Sequence, residues 1–230
     1  MFSVALLFVV APLSKRPGAG ECSLRQLGSR AYDLEGCTSI RPANARSAAT
    51  SSARGVNSTE PSARLGRAGL AALSRNLAHN TRVRKASLAG EDVGVAGAAL
   101  LAEALRTNSA LVYLNLYRSS IGDRGTESLA SALASNSHLA MLDLWGNRIG
   151  DSGARALASS LRSQTSSLRW LYLAGNRIGD AGGRALASAV RDGGRVVHIE
   201  AHGNPMSAAV MRELLDGARR NLKAATWMLA

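Results

Sequence analysis

The sequence predicts an α/β solenoid, a short arc of stacked repeats with parallel strands on its concave face and helices on its convex face, preceded by a disordered N-terminal segment. Three observations predict it. The phrase Leu139-x-x-Leu142-x-Leu144-x-x-Asn147-x-Ile149-Gly150-Asp151 returns as Leu168-x-x-Leu171-x-Leu173-x-x-Asn176-x-Ile178-Gly179-Asp180. Its register continues in both directions at a spacing of 28 or 29 residues, the signature of a stacked-repeat architecture. Within each unit an apolar period of two residues gives way to one of 3.6, a strand followed by a helix.

Five phased copies carry the strand half. They are Val83, Ala86, Leu88 and Val93; Leu111, Leu114, Leu116 and Ile121; Leu139, Leu142, Leu144 and Ile149; Leu168, Leu171, Leu173 and Ile178; and Val196, Ile199, Ala201 and Met206. A half copy precedes them, because Gly69, Leu73, Leu77 and Asn80 match Gly97, Leu101, Leu105 and Asn108. Its strand is expected to be missing, since Asn57 to Pro61 shows no apolar alternation. The helix half is exemplified by Ala154, Leu157, Ala158 and Leu161, spaced to bury one face. Asp123, Asp151 and Asp180 open these helices and are expected to cap them by accepting backbone N–H bonds. Gly125, Gly153 and Gly182 are expected to let helix and strand approach closely. Asn147, Asn176 and Asn204 stand where strands end and are assigned structural roles, binding turn amides of their own and the neighbouring repeat. After Met206 a last helix runs to Leu222, with Ala224 to Leu229 read as a strand covering the sheet edge. One unit cannot bury its leucines alone, so stacking supplies the core.

This pattern resembles the leucine-rich repeat of the ribonuclease-inhibitor type, whose long repeats carry a full helix on the convex side. The resemblance spans roughly Leu65 to Asn221, with Ser119 and Glu91 standing where the other copies have Asn. Similar repeats occur in ribonuclease inhibitor, the Ran GTPase-activating protein and NOD-like receptors. These share no single activity, so the resemblance implies a fold and leaves function to the site.

The chain divides into a candidate targeting segment at 1–20, a basic Ser-, Ala- and Arg-rich linker at 21–64 read as disordered, and the repeat domain at 65–230. The net charge of +12 is denser at the front: residues 1–82 hold 11 Lys and Arg against 4 Asp and Glu. Phe2 to Leu13 is apolar, the length of a signal-peptide core and too short to span a bilayer. It has no positive residue before it, so a cytoplasmic location is the default, and secretory or organelle targeting is the alternative. Asn57-Ser58-Thr59 is a glycosylation sequon, and Cys22 and Cys37 lie outside the repeats.

In a strand, alternate side chains face opposite sides. With the leucines inside, the concave face is expected to carry Lys85, Ser87 and Ala89; Tyr113, Asn115 and Tyr117; Met141, Asp143 and Trp145; Trp170, Tyr172 and Ala174; and His198, Glu200 and His202. Five of the six Trp and Tyr residues in the repeat region fall here, Trp227 being the sixth. Tyr113, Tyr117, Met141, Trp145, Trp170 and Tyr172 would form one patch over three strands, and such a patch marks a partner-binding surface. Lateral packing between strands is the competing account of the same rings. His198, Glu200 and His202 share a face at a spacing workable for zinc, but they read as a polar rim of the patch, and no metal is predicted. There is no phosphate loop, no GxSxG elbow and no CxxC pair, hence no predicted cofactor and no catalytic residue.

The sequence therefore predicts a non-catalytic scaffold that binds a protein partner, of unknown identity, on its concave aromatic face. Regulation of a small GTPase ranks second, through Arg118, Arg148 and Arg177 at the turns. Nucleic-acid binding through the basic N-terminal segment ranks third, because Tyr32 is the only aromatic residue between Phe8 and Tyr113.

Overall fold

The computed structural model describes residues 21–23, 39–41, 65–193 and 195–227. Among these residues seven short strands form one open parallel sheet in chain order: β1 (Glu21–Ser23), β2 (Ser39–Arg41), β3 (Lys85–Ser87), β4 (Tyr113–Asn115), β5 (Met141–Asp143), β6 (Trp170–Tyr172) and β7 (His198–Glu200). Among the described residues six helices line the other side: α1 (Arg67–His79), α2 (Gly94–Thr107), α3 (Gly122–Leu133), α4 (Asp151–Leu161), α5 (Asp180–Gly193) and α6 (Ala208–Trp227). Each helix packs on the next and the sheet never closes, giving the α/β solenoid arc that the periodicity predicts.

The core lies between sheet and helices. Leu114, Leu142, Leu171 and Ile199 stand side by side in strand register, and all are buried. Leu101, Leu129, Leu157, Leu186 and Leu214 meet them from the helices, each shielded from solvent. A Leu→Ala change in such a column costs about 2–5 kcal/mol.

The structure corrects the sequence in four places. The segment 21–64 holds two strands of the sheet: β2 pairs with β3 through Ser39↔Lys85 and Ile40↔Ala86, and Ile40 is only 1% exposed. The half copy therefore has a strand partner, but β2 precedes β3 by 46 residues (Ser39 to Lys85), well beyond the repeat spacing. The remainder of 21–64, with the sequon and Cys37, and all of 1–20 lie outside the described residues. At the other end α6 continues through Trp227, where an edge-covering strand was expected.

Third, the aspartates do not cap their own helices. Asp123 Oδ1 accepts from Gly150 N at 2.7 Å and Gly153 N at 2.9 Å, both at the start of the next helix. Asp151 Oδ1 does the same for Gly179 N and Gly182 N, and Asp180 Oδ1 accepts from Ser207 N at 2.6 Å. Fourth, the glycines admit the neighbouring helix and not a strand. A Cβ on Gly182 would stand 2.6 Å from Asp151 Oδ1 and 2.9 Å from Ala154 Cβ.

Two ladders of asparagine hold the turns. Asn147 Oδ1 accepts from Ser119 N and Ile121 N while its Nδ2 donates to Leu116 O at 2.7 Å, so it ties its own turn to the preceding repeat. Asn176 does likewise with Asn147 N, Ile149 N and Leu144 O, and Asn204 with Ile178 N and Leu173 O. The second ladder runs along the helix C-termini. Asn108 donates to Leu77 O and Asn80 O and accepts from Ala110 N and Leu111 N. Asn136 repeats this one unit on, with Leu105 O, Asn108 O, His138 N and Leu139 N.

Candidate functional site

The concave face is built by strand register. One row runs Lys85, Tyr113, Met141, Trp170 and His198; the next runs Ser87, Asn115, Asp143, Tyr172 and Glu200. Because the intervening Leu114, Leu142, Leu171 and Ile199 point into the core, these side chains must face out. Tyr117, Trp145 and His202 follow just beyond the strand ends.

The predicted residues come together, but as a mutually packed layer. Tyr113, Asn115, Tyr117, Met141, Asp143, Trp145, Trp170, Tyr172, His198 and Glu200 are all half-buried, and only His202 is exposed. The Tyr117 and Trp145 rings meet edge-on at 5.9 Å, and Tyr172 and His198 lie 5.5 Å apart. Ala174 is fully buried and presents nothing to the groove, contrary to expectation. No ring stands at that position beyond β6, and His202 reaches across to meet Trp145 edge-on at 5.0 Å. Lateral packing and an open aromatic face thus coexist.

That contact divides the His198-x-Glu200-x-His202 run. His198 Nε2 lies 3.3 Å from Glu200 Oε1, while His202 turns to Trp145. Among the described residues no three His, Cys, Asp or Glu side chains converge on a metal position.

Two residues of the layer also brace its backbone. Asn115 Oδ1 accepts from Tyr117 N at 2.8 Å, and Asp143 Oδ1 accepts from Trp145 N at 3.0 Å. Equivalent positions in adjacent repeats thus fix the residue two further on. Burial holds the Asp143 carboxyl above the ordinary carboxylate range, and Glu200 adds repulsion. Burial likewise raises the Tyr113 and Tyr172 phenols, with the nearby carboxylates contributing.

A column of left-handed residues rims the face. Gly90, Gly146, Gly175 and Gly203 have φ between 65° and 76°, and Arg118 takes the same place in the β4 repeat with φ 49°. Its guanidinium lies 5.2 Å from the Tyr117 ring centre. The sequence signal for this column is the Gly recurring at the repeat spacing, interrupted at Arg118. Arg148 is also left-handed, at φ 59°, and is exposed, as is Arg177.

No helix among the described residues is long and apolar enough to cross a membrane. Residues 135–158 and 166–187 match the family model described as Leucine Rich repeat. Comparison with curated proteins gives no match. Among solved structures, the chain is similar to the leiomodin-1 actin-binding site 2 (TM-score 0.59, 15% identity, covering 67% of this chain and 90% of that one). It is also similar to the tropomodulin C-terminal domain from Caenorhabditis elegans (TM-score 0.55, 12% identity, covering 69% and 96%). At these identities the likeness is one of fold, and with the open parallel sheet of the described residues it gives this chain the fold of a leucine-rich-repeat-like α/β arc.

Proposed function

We propose that the chain is a non-catalytic interaction module, built from long helix-bearing repeats of the ribonuclease-inhibitor type, that seats a protein partner on its concave face. One observation carries this reading. Five of the six Trp and Tyr residues in the repeat region lie on that face, in a half-buried layer supported by the Asn115 and Asp143 side chains. Trp and Tyr on such a surface supply large contact area at low entropic cost and dominate binding energies where they occur. An actin-binding site is named in one fold neighbour, which supports protein binding as a use of an arc of this size.

The test is affinity capture of cellular proteins on the intact chain, with mass spectrometry, repeated with Trp145→Ala and Trp170→Ala. Each substitution is expected to cost about 2 kcal/mol or more of binding, some thirtyfold, with an unchanged far-ultraviolet circular dichroism spectrum. Partners held equally by both variants would refute the concave assignment. The GTPase reading gains no specific support from the arrangement of Arg118, Arg148 and Arg177, and the nucleic-acid reading concerns an N-terminal segment that lies largely outside the described residues.

A further inference from the structure

The central row of the concave face places Asp143, Tyr172 and Glu200 on three successive strands in direct register. Parallel strands lie about 4.8 Å apart, so the Asp143 and Glu200 backbones stand roughly 10 Å from each other with Tyr172 on the strand between them. One oxygen of each is engaged, Asp143 Oδ1 by Trp145 N and Glu200 Oε1 by His198. On β4 to β7 these acids are the only fully charged side chains facing the groove, in a chain whose net charge is +12. The cations bordering this row are Lys85, two strands from Asp143 on β3, and Arg118 at the rim, whose guanidinium lies over the Tyr117 ring.

Resting on the reading of this face as a protein-binding surface, we propose that the partner inserts a cationic side chain, arginine or lysine, over Tyr172 between Asp143 and Glu200. A cation there gains from the ring face and from both carboxylates at once. It also offsets the unfavourable burial of Asp143, whose carboxyl is held above its usual range. Arginine suits the site better than lysine, since its planar group stacks on a ring while its edge donates to a flanking carboxylate. The surrounding Tyr113, Trp145 and Trp170 would cover the aliphatic stem.

The experiment measures fluorescence anisotropy of a labelled ten-residue Arg-Gly peptide and of the same peptide with citrulline for arginine, which keeps shape and loses charge. Both are titrated with the intact chain and with the D143N/E200Q double variant. The arginine peptide is expected to bind at least tenfold more tightly than the citrulline peptide to the unaltered chain. That preference should vanish in the double variant. Equal binding of the two peptides, or an unchanged preference in the double variant, overturns the proposal. A concentration-dependent dimer in sedimentation that the double variant abolishes would place a second copy in the groove and overturn the assignment to a different protein. The Trp145→Ala and Trp170→Ala captures separate this from the broader reading. If they lose the cellular partner while the peptides show no charge preference, the cation assignment fails and the concave surface stands. If they keep the partner, the surface assignment itself fails.

Discussion

Asp123 closes the first turn of a helix that is not its own: its carboxylate accepts the N–H of Gly153, 2.9 Å away and 30 residues further along the chain. Gly153 must be glycine for this to happen, since a Cβ there would stand 2.8 Å from the same carboxylate oxygen. Every aspartate of the series binds the repeat that follows, so helix capping and repeat stacking are one interaction.

Asp151→Ala is expected to cost about 2 kcal/mol, because two partly buried N–H groups, on Gly179 and Gly182, lose a charged acceptor. Gly182→Ala should be comparably damaging by a different route, driving its methyl into Asp151 and Ala154. Urea unfolding at neutral pH checks both, and a double variant should lose less than the sum because both changes break the same junction.

The two asparagine ladders should prove equally important. Asn147→Ala strands Ser119 N, Ile121 N and Leu116 O, and Asn136→Ala strands Leu105 O, His138 N and Leu139 N. Each is expected to destabilise by about 1–3 kcal/mol or more, read from the midpoint of chemical denaturation.

Gly175→Ala would act on fold and site together. The position has φ 65°, which costs an L-residue about 1–2 kcal/mol, and the added Cβ would come within 2.8 Å of Trp145 Nε1. Loss of stability accompanied by a shift in tryptophan emission is expected; an unshifted spectrum would show that the indole does not pack there.

Two carboxylates should respond to pH in opposite directions. The Asp143 pKa is raised by burial, so its ionisation opposes folding, and stability falls as pH climbs from the ordinary carboxylate pKa through the raised value. Asp143→Asn is therefore expected to unfold at higher urea than the unaltered chain at neutral pH, with the gap closing in acid. The Asp180 pKa is lowered, chiefly by the Ser207 N–H, so its contribution is full above the ordinary value and disappears as pH falls through the lowered one. Asp180→Asn should be the less stable form at neutral pH, again with a gap that closes in acid.

Much of this fold was legible because it is periodic. The 28- or 29-residue register named the buried leucines, the three turn asparagines and the outward-facing Tyr113, Trp145, Trp170 and Tyr172, since strand alternation is a local property of the chain. The column of glycines with left-handed φ, and the second asparagine ladder through Asn80, Asn108 and Asn136, carried the same period and were open to the same reading. Strand β2 was not, because it joins the sheet across a connection that breaks the period, and three residues around Ile40 hold too little pattern to announce a strand.

By itself the sequence determined that repeats stack, which side chains fill the core, and which face carries the aromatic residues, because each follows from apolar spacing within one unit. Only the tertiary structure decided that Asp123, Asp151 and Asp180 serve the next helix, that Ala174 sinks and His202 swings over to Trp145, and that Asp143 and Glu200 flank Tyr172. Those relationships depend on how one repeat is rotated and set against another, and that geometry arises only when neighbouring units pack.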